Sequence, residues 1–180
     1  MFPEFQPFPS LKRLYREIVV TEKIDGTNAQ VYITEDGDVF AGSRNRWITP
    51  EDDNFGFARF VEGNKNEFLK LGPGRHYGEW WGLGIQRGYD AKDKTFSLFN
   101  TGRWRHNTES IIKVVPILYE GLFSDNAITD VLKTLKESGS QAVPGFMNPE
   151  GVVVYHTHGR QSFKITLDNN DQHKWESLNG

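Results

Sequence analysis

Lys23 stands in the stretch EKIDGTN (residues 22–28), directly after the apolar pair Val19-Val20. A lysine at a strand end, beside polar groups and partly desolvated, can have its pKa lowered enough to act as an amine nucleophile. Asp25, two residues on, shares the strand face of Lys23 if the extended conformation continues, and can hold the ammonium or a cation. Gly26 lets a ligand approach the backbone, while Thr27 and Asn28 offer a hydroxyl and an amide. Taken alone, the stretch is also what a strand running into a turn at Asp25-Gly26 looks like. Four further islands mix charge, glycine and strand-like flanks: GSRNR (42–46), YGEW (77–80), PEGVVVY (149–155) and SFKIT (162–166). Each places one ionisable group on or beside a strand: Arg44, Glu79, Glu150 and Lys164. Any one of them reads as a turn or a surface ion pair. Together they ask for a common site.

The elements that must carry these groups follow from patterning. Strands are predicted at 19–23 and 29–34. The second alternates Ala29, Val31 and Ile33 with Gln30, Tyr32 and Thr34 and runs into the hairpin turn Glu35-Asp36-Gly37-Asp38, with 39–41 returning. Further strands are expected at 75–81, 95–100, 114–118, 151–156 and 162–166. Apolar residues Phe57, Phe60, Val61, Phe68 and Leu71 fall at helical spacing between 54 and 71. A short helix capped by Ser10 is expected over 10–16, with Leu11, Leu14 and Tyr15 on one side. The strongest helix is 126–137, capped by Asp125 or Asn126, striped by Ile128, Val131, Leu132 and Leu135, and followed by Gly139. Many short strands with few helices and no βαβ repeat predict an antiparallel α+β domain.

The 180 residues are enough for one core, and no internal repeat or linker divides them, so a single domain over 1–180 is expected. The absence of cysteine excludes disulfides, thiol catalysis and thiolate metal sites. The opening MFPEFQPFPS has no signal-peptide pattern and no stretch reaches membrane-span length, so an intracellular, cytoplasmic location is expected. With a net charge of -3 the chain is not a bulk polycation for nucleic acid. Basic residues still cluster at Lys12, Arg13 and Arg16, at Arg44 and Arg46, and at Arg103, Arg105 and His106, which allows an anionic ligand. His156 and His158 share a strand face but lack a third ligand nearby, so a hairpin end suits them better than zinc. Trp47, Trp80 and Trp81 read as packing at the core or its rim.

In chain order the islands resemble the signature set of the covalent lysine nucleotidyltransferases, which comprise ATP-dependent ligases and mRNA-capping guanylyltransferases. KIDGTN resembles the nucleophile motif K-x-D-G, and its TN ending is closer to RNA ligases than to DNA ligases. GSRNR resembles the arginine motif that follows, and YGEW the motif with the ribose-binding glutamate. Phe99 in FSLFN is similar to the aromatic that stacks on the purine, EGVVV to the metal-linked glutamate motif, and FKIT to the last lysine motif. The match spans about residues 19 to 166.

The resemblance implies two antiparallel sheets with flanking helices and a nucleotide between them. It implies an ATP-dependent RNA ligase that joins 5′-phosphate and 3′-OH ends through lysyl-AMP and an adenylylated RNA end. Lys23 would be the nucleophile, with Glu150 and Lys164 catalytic. Glu22, Ile24, Asn28, Arg44, Glu79, Phe99 and Lys164 would bind the nucleotide. Glu150 and Asp25 would hold Mg²⁺ or Mn²⁺, and Arg44, Arg103 and Arg105 would meet RNA. Two departures stand out. Many members end in K-x-K, whereas Ser162-Phe163-Lys164 keeps one lysine. After Thr166 only 14 residues remain, too few for the C-terminal domain, often an OB-fold, with which relatives grip nucleic acid. Self-adenylylation is expected to survive that loss, whereas sealing of ends is expected to be weak, to need a protein partner, or to rely on the stretch from Arg103 to His106. A GTP-using capping enzyme, a DNA ligase and a non-catalytic nucleotide- or RNA-end-binding module are the other readings.

Overall fold

The computed structural model describes residues 1–105 and 110–168. The alternating strands build two sheets. In the first, β1 (Glu17–Lys23) pairs with β8 (Ile117–Leu122) on one side and β9 (Gly151–His156) on the other, and β10 (Gln161–Thr166) forms the outer edge. The second sheet has the order β4-β3-β2-β5-β6-β7, from β2 (Thr27–Ile33), β3 (Val39–Gly42), β4 (Trp47–Ile48), β5 (Gly74–Gly82), β6 (Lys94–Leu98) and β7 (Ile112–Val114). Every strand pair is antiparallel except β6 with β7, which run parallel. The α+β architecture of two sheets with few helices is the expected one.

Each sheet buries one face. Helix α4 (Asp125–Ser138) lays Ile128 and Leu135 on Ile18, Val20, Val152 and Val154 of the first sheet. Burying such side chains stabilises by about 1.5–3 kcal/mol each. The second sheet buries Ala29, Val31, Ile33, Phe96 and Leu98 against α1 (Phe57–Gly63) and α2 (Lys65–Leu69). A third, smaller cluster of Ile24, Trp81, Tyr89 and Val115 lies where the chain passes between sheets. It crosses first at Ile24–Gly26, from β1 to β2, and again at Val115-Pro116, from β7 to β8. Glu22 N–H donates to Pro116 O at 3.0 Å, so the two crossings are tied together. No helix among the described residues is long and apolar enough to cross a membrane.

Four expectations need correction. Residues 10–16 form no helix, and Leu11, Leu14 and Tyr15 stay exposed. Seven residues fall below the length at which a helix holds without packing, and of the three side chains Tyr15 alone meets a ring, edge-on to Phe123 at 6.0 Å. Helix α4 is capped by Ser124, whose Oγ accepts from Ala127 N–H at 3.3 Å, one residue before the caps proposed. The strand expected at 114–118 is two strands in different sheets, because Pro116 has no N–H to continue a ladder. The helical segment 54–71 breaks at Asn64 (φ −124) into α1 and α2.

Candidate active site

Lys23 ends β1 at the point where the chain leaves the first sheet for the second. Its Nζ lies 2.6 Å from Glu150 Oε1, and both side chains are largely covered. The register explains the meeting, since Lys23 pairs with Gly151, the residue after Glu150. A Cβ on Gly151 would collide with the Ile165 carbonyl, so only glycine lets β9 and β10 close beside the lysine. Lys164 pairs with Val153, which pairs with Thr21, and therefore shares a sheet face with Lys23. It is exposed.

The second sheet supplies the opposing side. Asn28 pairs with Glu79, and Glu79 Oε1 accepts from Gly26 N–H at 3.1 Å. Gly26 lies so close to β5 that a Cβ would sit 2.7 Å from Trp81 Cβ. Burial pushes the Glu79 carboxyl up to about 7, against the opposing pull of Lys23 and the Gly26 N–H. Alternation along β6 puts Phe99 two residues beyond Ser97, which pairs with Glu79, and Phe99 N–H donates to Tyr77 O at 3.0 Å. Its ring is partly exposed.

Glu22 and Ile24 flank the lysine in buried positions. Glu22 Oε2 accepts from Gln141 N–H at 2.8 Å and Ala142 N–H at 2.9 Å, while Ile24 packs against Trp81 and Tyr89. Three buried side-chain oxygens lack a hydrogen-bond partner among the described residues: Glu22 Oε1, Glu150 Oε2 and Thr166 Oγ1. All three lie at the Lys23 end of the first sheet, Thr166 being paired with Gly151. Leaving such a group unpaired costs about 1–3 kcal/mol.

Two residues absent from the sequence reading complete the site. Arg87 Nε donates to Asp25 Oδ2 at 3.0 Å, Nη1 to Asn148 O at 3.0 Å, and Nη2 to Asp168 Oδ2 at 2.6 Å. Asp25 is thus turned to an arginine. Among the described residues no three His, Cys, Asp or Glu side chains are grouped to hold a metal ion. Tyr89 is fully buried in a left-handed backbone (φ 56), and its hydroxyl accepts from Asp25 N–H at 2.7 Å. Such a conformation costs about 1–3 kcal/mol and persists only where its surroundings hold it. The glycine-bracketed stretch GLGIQRGYD is the signal that could have drawn attention to both.

The remaining cations divide. Arg44 is exposed on the turn between β3 and β4 and makes no ion pair among the described residues. Arg46 is held by Asp52 at 2.6 Å. Arg103 donates to Leu71 O at 3.0 Å and lies over the Trp104 ring, while Arg105 pairs with Glu120 at 2.5 Å. Neither contacts Lys23, Glu79 or Glu150. His106 lies outside the described residues. His156 is buried, with Nε2 on Leu14 O at 2.8 Å and Nδ1 accepting from Gly159 N–H at 2.8 Å, which is a structural role at the β9–β10 hairpin.

The structure thus brings Lys23 and Glu150 together at the junction of the two sheets, with Glu79 beside Gly26 on the facing sheet. The RNA ligase family profile matches residues 16–166. No curated protein matches the chain in sequence. Among solved structures, a mutant of Naegleria gruberi RNA ligase with AMP and Mn superposes with a TM-score of 0.61 at 20% identity, covering 98% of this chain and 59% of that one. Another mutant of the same ligase, with ATP and Mn, gives 0.62 at 18% identity over 93% and 52%. The ligase with PPi gives 0.61 at 20% over 99% and 60%. The chain thus spans between half and three fifths of these relatives, and the likeness shows a shared fold. The chain belongs to the RNA ligase family.

Proposed function

We propose that residues 1–180 form one nucleotidyltransferase unit that adenylylates itself on Lys23 and passes AMP to RNA ends for joining. The observation that carries this reading is the 2.6 Å apposition of Lys23 Nζ and Glu150 Oε1 at the junction of the two sheets. The Naegleria relatives were solved with ATP, AMP or PPi, which supports ATP as the nucleotide.

Lys23 Nζ attacks the α-phosphorus of ATP, the bond to the bridging oxygen breaks, pyrophosphate leaves, and the nitrogen gives up a proton. In-line positioning and charge neutralisation are what such a transfer needs. Lys164, exposed on the same sheet face, neutralises phosphate oxygens. Glu79 accepts from a ribose hydroxyl with Asn28 beside it, Phe99 stacks on the base, and Glu22 Oε1 and the backbone at Ile24 face its polar edge. Glu150 Oε2 suits Mg²⁺ or Mn²⁺, which commonly take one or two carboxylates and complete their shell with phosphate oxygens and water. Asp25, committed to Arg87, is left to the outer sphere. A divalent cation there would neutralise α-phosphate charge and favour the neutral amine of Lys23 by repulsion.

The AMP then moves to a 5′-phosphate, and a 3′-OH displaces it to leave a phosphodiester. Arg44, exposed and without an ion pair among the described residues, is available to an RNA phosphate; Arg103 and Arg105 meet RNA only if they release their protein partners. The test is incubation with ATP, Mg²⁺ and a nicked RNA duplex labelled at its internal 5′-phosphate, resolved on a denaturing gel. Adenylylated RNA and a sealed strand are expected. Label that remains in unreacted 5′-phosphate, with ATP and with GTP alike, contradicts the reading.

A further inference from the structure

The face of the second sheet that carries Glu79 continues well past it. Between β2 and β5, Asn28 pairs with Glu79, Gln30 with Tyr77 and Tyr32 with Arg75. Across β3 and β4, Tyr32 pairs with Phe40 and Gly42 with Trp47. Directly paired residues project on the same side, so one surface runs from Glu79 to an aromatic cluster at its far end. From Asn28 to Tyr32 is four residues, about 13 Å of strand.

That cluster is open. Phe40 and Trp47 are 48% and 49% exposed. Tyr32 stacks on Phe40 with centroids 6.4 Å apart, and Trp47 lies 6.1 Å from Phe40. The Arg75 guanidinium sits 4.7 Å from the Tyr32 ring centre and 5.5 Å from that of Trp47. Arg75 Nη1 donates to Gln30 Oε1 at 3.3 Å, and Gln30 Nε2 donates to Ser43 O at 3.4 Å, joining the cluster to the turn that presents Arg44. Gly42 makes the closure possible, because a Cβ there would fall 2.8 Å from Gln30 Cγ and 3.2 Å from Trp47 Cε3.

Flat rings left in solvent, with Arg75 fixed over them and Arg44 unpaired among the described residues on the adjoining turn, match a particular chemistry. Unpaired bases stack on aromatic faces whatever their sequence, and guanidinium groups take the phosphates between them. Two cations beside the rings favour a polyanion over an apolar protein surface. We propose that Tyr32, Phe40, Trp47 and Arg75 form a stacking site for unpaired nucleotides of the RNA strand whose end is held at Lys23. This rests on the RNA ligase reading, and the about 13 Å of strand between Asn28 and Tyr32 suits the first few nucleotides beyond the end.

The experiment uses the full chain and two probes: a short unstructured 5′-phosphorylated RNA, and a blunt RNA duplex without unpaired bases. Binding is read by anisotropy in parallel with lysyl-AMP formation from ATP alone. Trp47→Ala and Phe40→Ala are expected to weaken single-strand binding by about 5- to 100-fold each, the range of one base–aromatic stack. Trp47→Phe should restore most of it. Duplex binding and lysyl-AMP formation should change by less than about two-fold. Single-strand binding that is absent in the wild type, or unchanged in both alanine variants, overturns the proposal. So does a wild-type dimer that Trp47→Ala converts to monomer, since the face would then be a contact between copies of the chain. Loss of lysyl-AMP formation alongside RNA binding would mark the cluster as structural and overturn it equally. A wild type that binds RNA through Trp47 but forms no lysyl-AMP would leave this site standing and remove the ligase reading.

Discussion

Arg87 Nε and Asp25 Oδ2 lie 3.0 Å apart, and the same guanidinium reaches Asn148 and Asp168. One side chain therefore joins the turn after Lys23, the loop leading to Glu150 and the segment after β10. Arg87→Gln breaks this junction and leaves Asp25 half-buried without its cation. A stability loss of about 1–3 kcal/mol in urea unfolding is expected, with slower lysyl-AMP formation. Arg87→Lys keeps the charge without the planar fork and should recover only part of both.

Glu79 gives a pH signature. Its carboxyl is raised from 4.5 to about 7, with burial the largest cause. Between those values the unfolded chain loses the proton while the folded chain keeps it. The contribution is fully present below about pH 4.5 and is lost as pH rises through about 7, by roughly 3 kcal/mol. Urea midpoints for Glu79→Gln, whose amide oxygen can still accept from Gly26 N–H, should lack this fall. Parallel pH profiles for the two proteins would show that Glu79 does not carry it.

Much of this was legible in the sequence because strands advertise themselves by alternation. The bounds of β9 match the expectation, and those of β1, β2, β5 and β10 differ by one or two residues, since Val, Ile and aromatic residues alternate there with polar ones. The five ionisable islands were visible because glycines and charges interrupt that alternation. What a linear pattern cannot show is where two sheets exchange strands. Val115-Pro116 looked like the interior of one strand and is a crossing between sheets, because nothing local says which neighbour a strand will choose. Arg87 and Tyr89 were missed for a related reason: their partners, Asp25, Asn148 and Asp168, are remote in sequence. The short helix at 10–16 failed because a cap and three apolar side chains mean little without a surface to cover.

Phe99 is proposed to stack on the base. Phe99→Ala should weaken ATP binding by about 5- to 100-fold, the loss of one stack, while Phe99→Tyr stays near wild type. Equilibrium binding of a fluorescent ATP analogue reads this. Equal affinity in wild type and Phe99→Ala would move the base elsewhere.

Glu150, 2.6 Å from Lys23 Nζ, is proposed to hold the cation. Chelation should abolish lysyl-AMP formation, and added Mg²⁺ or Mn²⁺ should restore it. Glu150→Gln should slow the step by about 100-fold or more even at saturating metal, since an amide holds a hard cation poorly. Full activity of that variant, or of the wild type in chelator, would remove the cation from Glu150.

The most direct measurement is intact mass of the protein after incubation with ATP and Mg²⁺, with Lys23→Ala in parallel and GTP in a third tube. The account predicts the addition of one AMP that survives denaturation, maps to Lys23 and is absent from the variant. An adduct formed only with GTP, an adduct retained in Lys23→Ala, or no adduct from folded protein would contradict it.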